Sequence, residues 1–387
     1  MGMIVPAVAE RALLLDCGRK YFTPDWIITL LGEMHDLRLN ALILHFSEDM
    51  GCRLECPSYP WLAGSDARLC VVRGITDPDE GKYLTLTDLR RIADAADRLG
   101  IELIPSFDSP GHMNYIVDRA CRHLGADYGN RFVTGGRTAP VRGSDGESCR
   151  GVDLADPAAR AFATELVLAY ARIFRELGCT KFDIGGDELL GWGASPDPSL
   201  PKWQQLDHWR DAAAAATGDP AAVAYDYFLL YMNELEQRLR ALGYTDIRMW
   251  NDDAYRTADT AHHGAVRLSP TIDIAYWTND ANGKRNTPHT YLAGGHGLYN
   301  CLNTYNYYVL KENLVYAGAN PDAITREWSP YRFGPHLLDG PERARVKGSA
   351  FCIWCDDPSY KTQDEVMREV LPILRAYAEK AWYGENA

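Results

Sequence analysis

The chain has 387 residues, of which 46% are hydrophobic and 24% charged, enough to bury a sizeable core. Its 53 acidic and 40 basic residues leave a formal charge of −13, a surface that repels nucleic acid and anionic lipid and so excludes both as expected partners. No window reaches the roughly 18 apolar residues that span a bilayer, and no opening segment reads as a signal peptide. A cytoplasmic protein is expected, or a secreted one whose signal has been removed.

Short β-rich apolar runs alternate with helical patterns, which argues for βα units around a parallel sheet. In chain order the expected strands are Ala12–Asp16, Ala41–Phe46, Ile101–Ser106, Lys181–Ile184, Ile247–Asn251, Ile272–Trp277, Leu298–Tyr305 and Gly348–Trp354. Eight is the number that closes a (β/α)8 TIM barrel. The expected helices are Pro24–Leu37, Thr87–Leu99, Ala158–Leu177, Val223–Leu242 and Glu365–Lys380. Thr23 before Pro24 caps the first, and Thr87 before Asp88 starts the second. Ala212–Ala216 reads as a loop helix. Long connections follow several strands: 48–83, 115–156, 189–222 and 279–297. In a barrel such loops build the active-site face. No repeat or linker divides the chain, so residues 1–387 are expected to form one domain.

The ten cysteines are scattered, and Cys17, Cys179, Cys301 and Cys352 lie inside apolar runs. They read as reduced, buried thiols. Cys352 and Cys355 form a C-x-x-C at a strand end, without a second pair at zinc spacing.

The segment KFDIGGDELL carries the strongest chemical signal. A strand ends at Gly185–Gly186, and Asp187 and Glu188 follow at the expected barrel mouth. Adjacent carboxylates repel, which raises one pKa and leaves the other group ionised, the division a glycosidase needs. A helix N-terminus would also favour two acids here. The other strand ends carry Asp16 and Arg19; His45, Ser47, Glu48 and Asp49; Asp108, Pro110 and His112; Trp250, Asn251 and Asp252; Tyr276 and Trp277; Asn303, Tyr305, Tyr307 and Tyr308; and Trp354, Asp356 and Asp357. Tryptophan at three strand ends suits stacking on sugar rings.

These segments resemble family 20 glycoside hydrolases, the β-N-acetylhexosaminidases, in their short single-domain form. The similar motifs are LHFSED (44–49), IPSFDSPGH (104–112), DIGGDE (183–188), RMWND (248–252) and AYWTND (275–280). The resemblance implies retaining, exo-acting, substrate-assisted hydrolysis of a terminal β-linked GlcNAc or GalNAc on an oligosaccharide, with no metal or organic cofactor. It implies Glu188 as acid/base and Asp187 as the residue orienting the 2-acetamido group. Asp108 and His112 would support the acid, and Arg19 would hold sugar hydroxyls. His45 and Asp252 are further substrate-binding candidates at the strand ends. Trp250, Trp277 and Trp354 would wall the sugar, and a tyrosine of Tyr305–Tyr308, with Tyr308 favoured, would donate to the acetamido oxygen. Asp356 stands where the family often has Glu, and Glu48 where it usually has Asp. The competing readings are a hydrolase of partly deacetylated poly-β-1,6-GlcNAc, a non-catalytic carbohydrate-binding barrel, and a metal-dependent barrel hydrolase with only His45 and His112 as imidazole candidates.

Overall fold

A computed structural model describes residues 5–69, 75–141, 151–190, 196–197, 199–255, 264–279, 287–310 and 319–386. Eight parallel strands close a barrel: β1 (Glu10–Asp16), β2 (Ala41–Glu48), β3 (Glu102–Phe107), β4 (Lys181–Asp183), β5 (Asp246–Trp250), β6 (Ile272–Tyr276), β7 (Leu298–Asn300) and β8 (Val346–Trp354). Each pairs in parallel with the next, and β1 pairs with both β2 and β8, so the sheet has no seam.

Alternation along the strands builds two cores. Ala12, Leu14, Ile43, Ile104 and Cys352 point into the barrel. Leu13, Leu15, Leu42, Leu44 and Phe46 point outward, against the helices. Near the N-terminal ends of the strands the interior is ionic: Glu10 meets Arg248 at 2.6 Å and Lys181 at 2.7 Å.

The helices are α1 (Pro24–Asp36), α2 (Leu86–Arg98), α3 (Asn114–Leu124), α4 (Pro157–Glu176), α5 (Asp207–Thr217), α6 (Ala224–Ala241), α7 (Pro288–Ala293), α8 (Pro321–Glu327) and α9 (Gln363–Tyr383). Thr23 caps α1 as expected, its side chain accepting from the Trp26 N–H. For α2 the cap is Thr85, not Thr87: Thr85 and Asp88 form a reciprocal capping box, which needs the two partners three positions apart in sequence, whereas Thr87 adjoins Asp88. The alanine run lies inside α5. The seventh strand ends at Asn300, short of the expected Tyr305. A single helical turn, Asn303–Asn306, intervenes, and Tyr307–Val309 then pairs in parallel with β8. Cys17, Cys179, Cys301, Cys352 and Cys355 are buried free thiols. Among the described residues no helix is long and apolar enough to cross a membrane.

Candidate active site

All eight strands run the same way, so their C-terminal ends converge on one face, where a cleft opens. It is lined by Arg19, Glu48, His112, Asp187, Glu188, Trp277, Tyr307, Val309, Trp354 and Asp356.

The backbone beyond β4 delivers the two adjacent acids. Gly185 and Gly186 adopt φ of 67° and 87°, and Glu188 itself holds φ of 40°. Such angles are open to glycine and costly for other residues. The turn is tied down by Asp252, whose Oδ2 accepts from the Glu188 N–H at 2.9 Å, and by Asp253, which accepts from the Leu189 N–H at 3.2 Å. No helix includes any of residues 184–190, so a helix dipole does not account for Asp187 and Glu188. Both carboxylates reach the cleft, with side-chain exposures of 16% and 22%.

His112 sits between two pairs of acids. Its Nδ1 lies 3.1 Å from Asp49 and 3.2 Å from Glu48, and its Nε2 lies 3.6 Å from Asp187 and 3.5 Å from Glu188. Burial alone would lower the imidazole, but Glu48, Asp49 and Asp187 outweigh it and hold His112 well above its ordinary value. For Asp187 burial dominates: with Asp252 and Glu188 alongside, it pushes the carboxyl well above the usual range, against the pull of His112. Asp252 is pushed up to about 7 by burial and by the charges of Asp253 and Glu188. The expected Asp108–His112 pair does not form. Asp108 instead lies 3.5 Å from His45 and is raised by burial and by the charge of Asp187.

Arg19 closes the opposite end. Its guanidinium contacts Glu48 at 2.5 Å, Asp16 at 2.8 Å and Asp356 at 4.0 Å, and it lies over the Trp354 ring. Burial pushes the Glu48 carboxyl up, but Arg19 and His112 outweigh it and hold the group well below the usual range. Glu48 therefore links the Arg19 end of the cleft to His112. In the sequence it stands out only as a departure from the family's usual Asp. Its place at a strand end, one residue from Asp49, was the available signal.

The aromatic wall differs from expectation in its tyrosine. Trp277 stacks parallel to Tyr307 with centroids 6.0 Å apart, and Tyr307 packs against Trp354 at 5.7 Å. Trp277 Nε1 donates to Asp252 at 2.9 Å, which fixes the indole plane. Tyr308 points away, donating to Glu369 of α9 at 2.7 Å, and Tyr305 donates to Glu327 at the end of α8 at 3.0 Å. In an extended segment successive side chains alternate, so Tyr307 and Val309 share the inner face and Tyr308 takes the outer one. Period-two alternation from Val309 was the signal for this choice.

Three other expected binding residues lie behind the surface. His45 is fully buried, bonded to Ser106 at 2.9 Å and edge-on to Trp354. Trp250 is 2% exposed and backs Trp354. Asp252 is 5% exposed and supports the turn at Glu188. These residues orient the lining instead of forming it. Asp280, at the end of the AYWTND segment, is outside the described residues.

Among the described residues two buried groups have donor atoms within 4.8 Å of one another, His45 with Glu48 and Asp108, and Glu48 with Asp49 and His112. Both share Glu48, whose charge Arg19 already neutralises at 2.5 Å. A divalent ion in either would stand close to that guanidinium, so the donor set fits a metal poorly.

Comparison with known proteins bears on this geometry. The model of the family described as "Glycosyl hydrolase family 20, catalytic domain" matches residues 9–385. Lacto-N-biosidase of Bifidobacterium bifidum is 24% identical over 379 residues, covering 97% of this chain and 28% of that protein. Beta-N-acetylhexosaminidase of Cellulomonas fimi is 25% identical over 388 residues, covering 97% and 64%. The chain thus spans less than two thirds of the length of either relative. Among solved structures, dispersin B superimposes with a TM-score of 0.68 at 21% identity, over 96% of this chain and 99% of that one. The exo beta-N-acetylglucosaminidase of Vibrio harveyi in complex with N-acetylglucosamine gives 0.71 at 19% identity, over 97% and 55%. These two likenesses speak to the fold.

Proposed function

Because the chain belongs to glycosyl hydrolase family 20, we propose that it is a retaining exo-β-N-acetylhexosaminidase that removes a terminal β-linked GlcNAc or GalNAc by substrate-assisted catalysis. The observation that carries this reading is the pair Asp187 and Glu188, adjacent in sequence and distinct in surroundings, facing an aromatic-walled cleft.

Glu188, the more exposed of the two, protonates the leaving glycosidic oxygen and later deprotonates the incoming water. His112, whose imidazole Glu48, Asp49 and Asp187 hold well above its ordinary value, stands 3.5 Å from Glu188 and supports the acid. The substrate's acetamido oxygen attacks the anomeric carbon, forming an oxazoline-like ring as the C–O bond breaks. Positioning such an internal nucleophile lowers a barrier by roughly 7–11 kcal/mol in favourable cases. Asp187 accepts the acetamido N–H. Its burial makes ionisation costly, and the positive charge developing on the acetamido group offsets that cost. That interaction is stronger in the transition state than in the ground state, which is what accelerates a reaction. Tyr307 donates to the acetamido oxygen between Trp277 and Trp354. Arg19, Glu48 and Asp356 take the hydroxyls of the terminal sugar and close the cleft, which suits exo action.

Hydrolysis of four aryl β-glycosides tests the proposal: GlcNAc, GalNAc, glucosamine and glucose. Turnover confined to the N-acetylated pair is the expected result, and the ratio within that pair reports the preference set by Asp356. Comparable turnover of the glucoside would require an enzyme nucleophile and overturn the mechanism. Silence on all four would favour a polymer-specific enzyme or a binding barrel.

A further inference from the structure

A second cavity, of about 420 Å³, lies between the loops that follow β1, β2 and β8. Lys20 and Tyr21 line it from the first loop, Asp79 and Lys82 from the second, and Ser359 and Lys361 from the third. Lys20 is 3% exposed. Its ammonium donates to the Pro358 carbonyl at 2.7 Å and has no carboxylate within 4.0 Å among the described residues. A buried ammonium with one acceptor and no counter-charge is costly. Lys82 and Lys361 add two more ammonium groups to the wall. Each has its own acid, Asp79 at 2.6 Å and Glu369. Asp79 is the one acidic residue lining the cavity, and it is already paired. With Lys82 and Lys361 each paired, the charge left without an acid in contact at this wall is that of Lys20, a local positive site on a chain whose formal charge is −13.

We propose that this cavity binds an oxyanion of the carboxylate, sulfate or phosphate type, with Lys20 as its buried counter-charge. Lys82 and Lys361 stand at the same wall and add long-range attraction. Arg19 immediately precedes Lys20, and Asp356 precedes Pro358 by two residues, so the pocket flanks the Arg19–Asp356 end of the active-site cleft. The anion is therefore either an acidic group borne on a sugar near the cleft or a free ion. The space exceeds that of a bare oxyanion and admits a sugar-sized body.

Isothermal titration of the full chain with inorganic sulfate and with glucuronate, at ionic strength held constant with sodium chloride, tests this without any turnover. Saturable binding of at least one probe in the millimolar range is expected, weakened at least tenfold by Lys20→Met. Lys361→Met, which empties no buried position, is expected to weaken it severalfold and keeps the test valid if the first variant does not fold. Glucuronate binding at least tenfold tighter than sulfate would assign the site to a sugar-borne acid, and equal or tighter sulfate binding to a free ion. Absence of saturable heat with both probes, or binding unchanged in both variants, would overturn the proposal.

Discussion

The Nε2 of His112 stands 3.5 Å from the carboxylate of Glu188, while Nδ1 of the same ring faces Glu48 and Asp49. One imidazole thus connects the exposed acid to a buried acidic pair that is itself anchored by Arg19.

Glu188→Gln is expected to lose about 10²–10⁴-fold in kcat/KM on substrates with poor leaving groups and far less on activated aryl glycosides. Activated leaving groups depart without protonation. Steady-state kinetics on the two substrate types checks this, and an equal loss on both would remove Glu188 from the acid role.

Tyr307→Phe and Tyr308→Phe separate the two faces of one short strand. The first is expected to cut turnover of N-acetylated substrates by about tenfold or more, as the lost hydrogen bond forms to the reacting oxygen. The second removes the bond to Glu369, costs about 1 kcal/mol of stability and leaves kcat within twofold. Denaturant melts paired with kinetics distinguish them.

The stability of the fold should fall with rising pH through both His112 and Asp187, although the first group stabilises the fold and the second destabilises it. The folded value of His112 is raised, so its contribution is complete below its ordinary value near 6.5 and is lost as pH rises through the folded value. His112→Gln should therefore cost more stability at pH 6 than at pH 9. Asp187 is also raised, but for an acid this is a destabilisation that grows as pH climbs above the ordinary carboxylate value. Asp187→Asn should raise the thermal midpoint at pH 7, lose that advantage near pH 3, and lower turnover throughout. A variant less stable than the wild type at pH 7 would contradict the burial argument.

Gly185→Ala is expected to abolish activity and to destabilise by several kcal/mol. A methyl group at φ of 67° is strained, and here it would collide with the Asp108 carboxylate. Circular dichroism melts and turnover together test this. Gly100→Ala, at a similar φ of 66° with open space around it, isolates the cost of the backbone angle alone.

Much of this was legible in the sequence because it depends on local periodicity. The eight strand cores, the cap at Thr23 and the loop helix around Ala212–Ala216 all follow from patterns within one element. Once the strands are parallel, every strand end belongs to the same face, so the candidate set could be gathered without a structure. The turn after the fourth strand was readable too, since two glycines before two acids demand a sharp bend.

Which of those strand-end residues touch the cleft was not readable. His45, Trp250 and Asp252 have the right chemistry and the right level, yet they sit behind Trp354, Trp277 and Glu188. Asp108 and His112 are four residues apart, and their partners come from other strands. Tyr307 displaces Tyr308 because a single helical turn resets the register of the short strand that follows. By itself the sequence determined the barrel and the two acids, because short-range periodicity and backbone sterics specify both. Depth, pairing and the choice among neighbouring aromatics were decided only by the tertiary structure, because those depend on contacts between segments tens to hundreds of residues apart.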